Sequence, residues 1–271
     1  MKKTPNWRIG VVVTARNEEQ VIGKCLASLR NQTVKLLLAV VNDGSLDRTG
    51  EIASEYADFL VNLPAHKENW AGRPELAEVF NAGFGVLKKQ QVEYILVSGA
   101  DSLYPPNYVE EIIRRMRKQN IVLSSGIAEG EASRSSSPRG SGRMIDSKWF
   151  KSIGFKYPSN YGFEVYLVYK ALSEGRRVAV FFDLGFKLLR QTGLSRRKLQ
   201  LWGKGMKALN YWFLYAVGRA VVVGLRHPLN GSALLAGYLS NAFKQYEDIK
   251  DFVSNFQKRM FVSRVREVIG F

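Results

Sequence analysis

The chain has 271 residues, with 40 Lys and Arg against 24 Asp and Glu, a formal charge of +16 and one cysteine. That length suits one large domain or a domain with an appendage, and the lone Cys25 excludes an intramolecular disulfide and a cysteine-rich zinc site while suiting a reducing compartment. The basic excess is uneven: from Gly185 onward fifteen Lys and Arg face four Asp and Glu, which points toward nucleic acid, an anionic membrane face or phosphate-rich ligands.

The opening MKKTPNWRIGVVVTARNEE is basic, but its apolar run is too short for a secretion signal before charge resumes at Arg16, so a cytoplasmic protein is expected. IGVVVT (9–14) reads as a buried strand, and residues 18–30 have helical apolar spacing at Val21, Ile22, Cys25, Leu26 and Leu29. LLLAVV (36–41) is a second strand that stops at NDGS. Ser45 or Asp47 is positioned to cap the helix that follows. DFLVNL (58–63) reads as a third strand, 75–89 as a helix, EYILVS (93–98) as a fourth strand, and PPNYVEEIIRRMRKQ as a helix opened by proline. This alternation predicts a mostly parallel sheet with helices on both faces. Ligands sit at the carboxyl ends of such strands, where the polar clusters 15–17, 42–45 and 99–102 fall. Helix capping explains any one of these clusters; it explains three converging ones less well.

Residues 128–143 are rich in Ser, Gly and Arg and read as a loop. MIDSKWFKSIG resembles a strand edge running into a short helix. NYGFEVYLVYKALSEG reads as a helix ending at Gly175, and RRVAVFFDLGF as a strand. After about residue 195 strands give way to apolar helical segments with basic flanks. ALNYWFLYAVGRAVVVGL (208–225) is nearly long enough to span a bilayer, but Asn210 and Arg219 interrupt it. Trp202, Tyr211, Trp212 and Tyr215, with Arg196, Arg197, Lys198, Lys204 and Lys207 nearby, fit an interfacial belt or the core of a helical subdomain.

Taken in order, VVVTARNEEQVIGKCLASLRNQT, LAVVNDGSLDRTGEIA, AGRPELAEVFNAGF and ILVSGADSLYPPNYVE resemble the inverting glycosyltransferases of family 2, from about residue 9 to residue 193. The resemblance implies an α/β protein of the GT-A type, a nucleotide-diphospho-sugar transferase fold with a Rossmann-like mixed sheet flanked by helices. Residues 1–195 would form the catalytic domain and 196–271 a basic, aromatic-rich helical extension. Thr14, Ala15, Arg16, Asn17 and Glu18, with Asn42, Asp43 and Ser45, match the positions that hold the donor nucleoside; Asp43 can accept a hydrogen bond from a base imide. Gly72, Arg73, Asn81, Ala82 and Gly83 match the segment that approaches the donor, with Arg73 suited to a diphosphate. The family's Asp-X-Asp metal motif reads Gly99-Ala100-Asp101 here. Ala100 and Asp101 would contact the donor, and Asp101 would ligate a divalent cation (Mn or Mg) whose remaining ligands are phosphate oxygens and waters.

Counting back from Gly175, the family's Glu-Asp pair reads Phe163-Glu164, so the resemblance makes Glu164 the base that deprotonates the acceptor. Gly140–Arg143 with MIDSKWF resembles the acceptor-side segment, and the Ser- and Arg-rich loop before it is a candidate lid. The His that family members often carry after the strand at 178–182 is missing, which leaves Arg190 or Lys187 to meet the diphosphate. His66 and His227 are isolated and read as structural or surface residues. The expected partners are a UDP- or GDP-sugar, a glycan or lipid-linked acceptor, and an anionic membrane touched peripherally on its inner face. No helix-turn-helix, zinc-finger or aromatic RNA-binding signature accompanies the charge, so no nucleic acid partner is expected. A non-catalytic relative that binds a sugar nucleotide or a membrane partner is the alternative that Gly99 and Phe163 raise.

Overall fold

The computed structural model describes residues 7–130, 137–138, 140–190, 193–225, 227–240 and 244–269, with 263–269 described by backbone alone. Most of the loop read as a lid, 131–136 and 139, lies outside these residues. The chain divides into two compact units. The first is Met1–Asn69, Glu78–Tyr157 and Glu174–Gln191; the second is Trp70–Ala77, Pro158–Ser173 and Thr192–Phe271.

Among the described residues the first unit carries an eight-stranded sheet in the order β3-β2-β1-β4-β7-β6-β8-β5. β1 (Ile9–Ala15), β2 (Leu36–Asp43), β3 (Phe59–Leu63) and β4 (Tyr94–Gly99) are parallel neighbours. The apolar runs of β1, β2 and β4 are buried on both faces, as central parallel strands require, while β3 at the edge is only partly buried. β6 (Ile121–Ala128) and β8 (Arg177–Leu188) pair in parallel, while β7 (Arg143–Asp146) is antiparallel to both β4 and β6. β7, which reads as an edge in the sequence, is thus interior, and the sheet is mixed.

Two strands escape the sequence pattern. β5 (Ser102–Leu103) is a two-residue pairing with β8. β6 follows α4 (Tyr108–Gln119) with no glycine or proline between, because Asn120 itself takes the left-handed conformation (φ 52°) that ends the helix. α1 (Ile22–Arg30) starts later than its apolar spacing predicts. Asn17 is left-handed (φ 52°), and the Glu18 carbonyl accepts from Val21 and Ile22 N–H at 3.0 and 2.9 Å, so 18–21 form a turn instead.

One side of the sheet packs Val11, Val13, Leu38, Leu96 and Met144 with side chains from α1 and α4 in a single cluster. On the side of α3 (Glu75–Lys89), Phe84 makes edge contacts with Phe150 of α5 (Ser147–Ser152) and with Tyr157, both at 5.1 Å between ring centres.

The second unit holds α6 (Phe163–Ser173), α7 (Arg196–Ala208), α8 (Phe213–Gly224), α9 (Pro228–Leu239) and α10 (Lys250–Ile269). α7 and α9 approach at backbone distance. A side-chain carbon added at Gly203 would lie 2.1 Å from the Leu234 carbonyl, and one at Gly237 2.0 Å from that of Gln200. The apolar run at 198–225 is broken where Asn210 turns left-handed (φ 56°) and its amide donates to the Lys250 carbonyl at 3.1 Å. Among the described residues no helix is long and apolar enough to cross a membrane.

Candidate active site

Parallel register sets the site. Thr14 lies beside Val41 and Gly99, and Ala15 beside Asn42, so β1, β2 and β4 end level with one another. Asp43 and Asp101 follow at the tips of the outer two. Strands are spaced about 4.8 Å apart, which sets these tips about 10 Å from each other across β1. The loops after β1 and β2 are sewn together. Asn17 N–H donates to Ser45 Oγ at 3.0 Å, Leu46 N–H to Asn17 Oδ1 at 2.9 Å, Glu18 N–H to Thr49 Oγ1 at 2.7 Å, and Glu19 N–H to Asp47 Oδ2 at 3.2 Å. Neither cap offered by the sequence is the N-cap, which is Arg48 with no side-chain cap bond; Asp47, one residue earlier, receives the Thr49 N–H at 3.0 Å, while Ser45 is engaged by Asn17. The start of α2 (Thr49–Ser54) is fixed in this way.

Asp43 is buried, and its Oδ1 accepts from His66 Nε2 at 3.1 Å. Arg16 Nη1 donates to His66 Nδ1 at 2.6 Å, and the guanidinium also donates to the Glu68 and His66 carbonyls. His66, read as a structural or surface residue, is therefore wedged between two residues picked for nucleoside binding. Gly44 lets the loop after β3 come this close: its φ is +61°, and an added carbon would lie 2.5 Å from the Pro64 carbonyl oxygen.

Around Asp101 a second cluster forms. The short β5–β8 ladder pairs Ser102 with Leu188, and Leu189 N–H donates to the Asp101 carbonyl at 2.8 Å. Arg190 is thereby delivered to two acids, its Nη2 lying 2.5 Å from Glu18 Oε1 and its Nε 3.7 Å from Asp101 Oδ2. Burial raises the Glu18 carboxyl above its ordinary range and the Asp101 charge adds to this, against the opposing hydrogen bond from Arg190. Lys187, the other candidate for the diphosphate, faces Glu129 at 3.7 Å instead. Behind the β4 tip, Ser141 Oγ accepts the Gly99 N–H at 3.0 Å and shares hydrogen bonds with Ser102 Oγ at 2.6 Å and Tyr104 OH at 3.3 Å. Ala100 is buried beside them. Burial pushes both the Tyr104 hydroxyl and the Cys25 thiol up to about 12, so neither ionises at neutral pH.

Thr14, Ala15, Arg16, Asn17, Glu18, Asp43, Ala100 and Asp101 thus gather in the first unit. Arg73 and Glu164 belong to the second. Arg73 Nη2 pairs with Glu75 Oε1 at 2.5 Å, at the start of α3. Glu164 stands half-buried in the first turn of α6, with no hydrogen-bonding or ion-pair partner among the described residues.

The side chains at the β4 tip do not fit a resident divalent cation. Gly99 removes one acid of the motif, the neighbouring Glu18 is tied to Arg190, and a guanidinium already faces Asp101. Among the described residues no three His, Cys, Asp or Glu side chains are grouped to hold a metal.

A mixed sheet of this order, flanked by helices and ending in acids at level strand tips, is the GT-A fold. The chain belongs to glycosyl transferase family 2, whose family model matches residues 10–172. It is 32% identical over 126 residues to EpsH of Bacillus subtilis, covering 45% of this chain and 35% of that one. It is 31% identical over 120 residues to the glycosyltransferase GlyA of Streptococcus pneumoniae, covering 44% and 16%. The chain therefore spans about a third or less of the length of these curated relatives. Among solved structures, the mannosyltransferase PcManGT of Pyrobaculum calidifontis, in complex with GDP-Man and Mn2+, aligns with a TM-score of 0.60 at 14% identity, over 98% of this chain and 88% of that one. TarS 1–349 of S. aureus, in complex with UDP, aligns at 0.55 and 15%, over 84% and 83%.

Proposed function

We propose that the protein moves a sugar from a nucleotide-sugar donor to a hydroxyl of a glycan or lipid-linked acceptor, with inversion at the anomeric carbon. The observation that carries this reading is the pairing of two clusters on level strand tips: Asp43 with His66 and Arg16 on β2, and Asp101 with Arg190 and Glu18 on β4. A buried carboxylate suits the imide of a nucleobase, and a guanidinium suits a diphosphate. Their separation by two strand spacings matches a ligand with a base at one end and a diphosphate at the other. The complexes of solved structures that share the fold, UDP in TarS and GDP-Man in PcManGT, support UDP- or GDP-sugars as the donor class.

In this reading Glu164 is the base. As the acceptor oxygen bonds to the anomeric carbon, the bond from that carbon to the diphosphate oxygen breaks and its electron pair stays with the leaving diphosphate. The acceptor proton passes to the Glu164 carboxylate. A carboxylate at a helix start with no competing partner is free to take it. Arg73, beside the first turn of α3, is assigned to the donor. A divalent cation on Asp101 is left out of the mechanism, because the donor set there does not suit one.

Residues 1–195 carry catalysis in this reading, and 196–271 form a basic appendage held at the inner face of a membrane. What supports the membrane contact is the outer face of α8 with its cap. Leu214, Val221, Val222 and Leu225 are 51, 56, 67 and 80% exposed, at spacings that put them on one helix face, in a region of strong positive charge.

Two experiments test the proposal. A panel of UDP- and GDP-sugars is screened by thermal shift, and each one that binds is followed for nucleotide release with lipid-phosphate and oligosaccharide acceptors. Binding without release under every acceptor would support the non-catalytic alternative. Sedimentation with phosphatidylglycerol vesicles, but not phosphatidylcholine vesicles, should retain the protein, and Val221→Asp with Leu225→Asp should abolish retention.

A further inference from the structure

We propose that Arg190 supplies the positive charge against the donor diphosphate that a divalent cation would otherwise supply, so that this protein binds its donor without metal. The inference rests on the nucleotide-sugar reading above and concerns how that same site is charged.

Three observations carry it. First, Arg190 is placed by backbone, not by chance of a long side chain. The β5–β8 pairing and the hydrogen bond from Leu189 N–H to the Asp101 carbonyl fix its position beside the β4 tip. Second, the guanidinium is the outward layer of its cluster. Its side chain is 55% exposed, while those of Glu18 and Asp101 are 15 and 21% exposed. An arriving anion meets the cation first, and the two acids behind it hold the fork in place. Third, the change of cation goes with a change of acid. An Asp-X-Asp tip offers two negative charges to a divalent cation. Here Gly99 deletes one of them, and a monovalent guanidinium stands beside the remaining Asp101 and the neighbouring Glu18. The two departures from the motif, Gly99 and Arg190, therefore run in the same direction, one negative charge fewer and one positive charge fewer than a metal-bound tip. Position 99 is also where the deleted acid would have stood, since an added carbon there lies 3.2 Å from Asp101 Oδ1.

A guanidinium can meet two phosphate oxygens at once through parallel N–H donors, and it keeps its charge at every working pH. As the sugar–oxygen bond breaks, charge collects on the terminal phosphate of the nucleotide. A preorganised cation at that point favours the transition state over the bound donor. Arg190 would then be a catalytic residue that touches the leaving group.

The test is calorimetric titration of the full chain with UDP and with GDP, each in EDTA and in Mn2+, on the natural sequence and on Arg190→Ala, Arg190→His and Lys187→Ala. The expected result is that one nucleotide binds in EDTA within about threefold of its affinity in Mn2+. Arg190→Ala should weaken that binding about ten- to a hundredfold with unchanged far-UV dichroism, and Lys187→Ala should leave it within about twofold. Arg190→His, which puts a metal ligand beside Asp101, should regain affinity only in Mn2+. Binding that requires Mn2+ in the natural protein, or an Arg190→Ala variant that binds normally in EDTA, overturns the inference and leaves the donor reading standing. If neither nucleotide binds in either buffer, the donor reading falls and takes the inference with it.

Discussion

His66 donates through Nε2 to the buried carboxylate of Asp43 at 3.1 Å, and its other ring nitrogen accepts from Arg16. One side chain from the loop after β3 thereby orients the carboxylate of Asp43 and the guanidinium of Arg16 at the tips of β2 and β1. His66→Ala leaves a buried carboxylate short of a donor, at a cost of about 1–3 kcal/mol. Nucleotide affinity, measured by calorimetry with UDP and GDP, should fall about tenfold or more. An unchanged affinity would remove His66 from the nucleoside site.

Glu164→Gln keeps the size and hydrogen-bonding reach of the side chain but cannot accept the acceptor proton. Donor affinity should stay within about twofold while transfer falls about 100- to 10,000-fold, the range for loss of a general base. Single-turnover assays with saturating donor separate the two. Normal transfer by the Gln variant would unseat Glu164 as the base.

Burial pushes the Cys25 thiol up to about 12, although a hydrogen bond with Ser98 opposes the shift. Since the thiolate is the reactive species, Cys25 stays inert at pH 8 in the folded protein. A disulfide dye should release no chromophore from native protein and one equivalent per chain after guanidinium unfolding. Rapid labelling of the native protein would contradict the packing of α1 against β4.

Burial acts to raise the Asp47 carboxyl, but its hydrogen bonds with Thr49 Oγ1 and the Thr49 and Glu19 N–H groups outweigh this and hold it below the ordinary aspartate value of 3.8. A carboxylate with a depressed folded value contributes stability above its unfolded value and loses it as pH falls through the folded one. Asp47→Ala removes these hydrogen bonds and should cost about 1 kcal/mol at neutral pH, the usual net worth of a hydrogen bond. The gap to the natural protein should narrow as pH falls below 3.8. Urea midpoints at pH 7, 4 and 2.5 measure both.

The parallel core was legible because IGVVVT, LLLAVV and EYILVS are short apolar runs that end in polar turns, and little else such runs can form is buried on two faces. β6 was not legible. Ser124 and Ser125 sit buried in its middle, so IVLSSGIA has neither strand alternation nor an apolar run, and an asparagine does the turning that a glycine would have announced. Asp43 and Asp101 could be picked out as acids at strand ends. His66 could not, because its partner Asp43 lies 23 residues away across a helix, a strand and their loops, and no sequence spacing encodes that return. A signal did exist: the loop after β3 begins at the same end of the sheet as the other tips. Arg190 and Lys187 were indistinguishable in sequence, and what separates them is how β8 meets β5, which brings Arg190 to Glu18 from 172 residues along the chain.

That meeting depends on an irregularity in β8. Between the pairs Ser125–Val180 and Ile127–Gly185, β6 advances two residues and β8 five, leaving three surplus residues on β8. Asp183 within this swelling is tied to Arg115 of α4 at 2.7 Å. Because side chains alternate sides along extended chain, a one-residue slip of β8 beyond this swelling would turn Lys187 toward the acids and Arg190 away. Which cation meets the acids is therefore held by the pairings of Gly185 and Phe186 with β6 and of Lys187 and Leu188 with β5, and the surplus residues before them are slack that those pairings bring back into step.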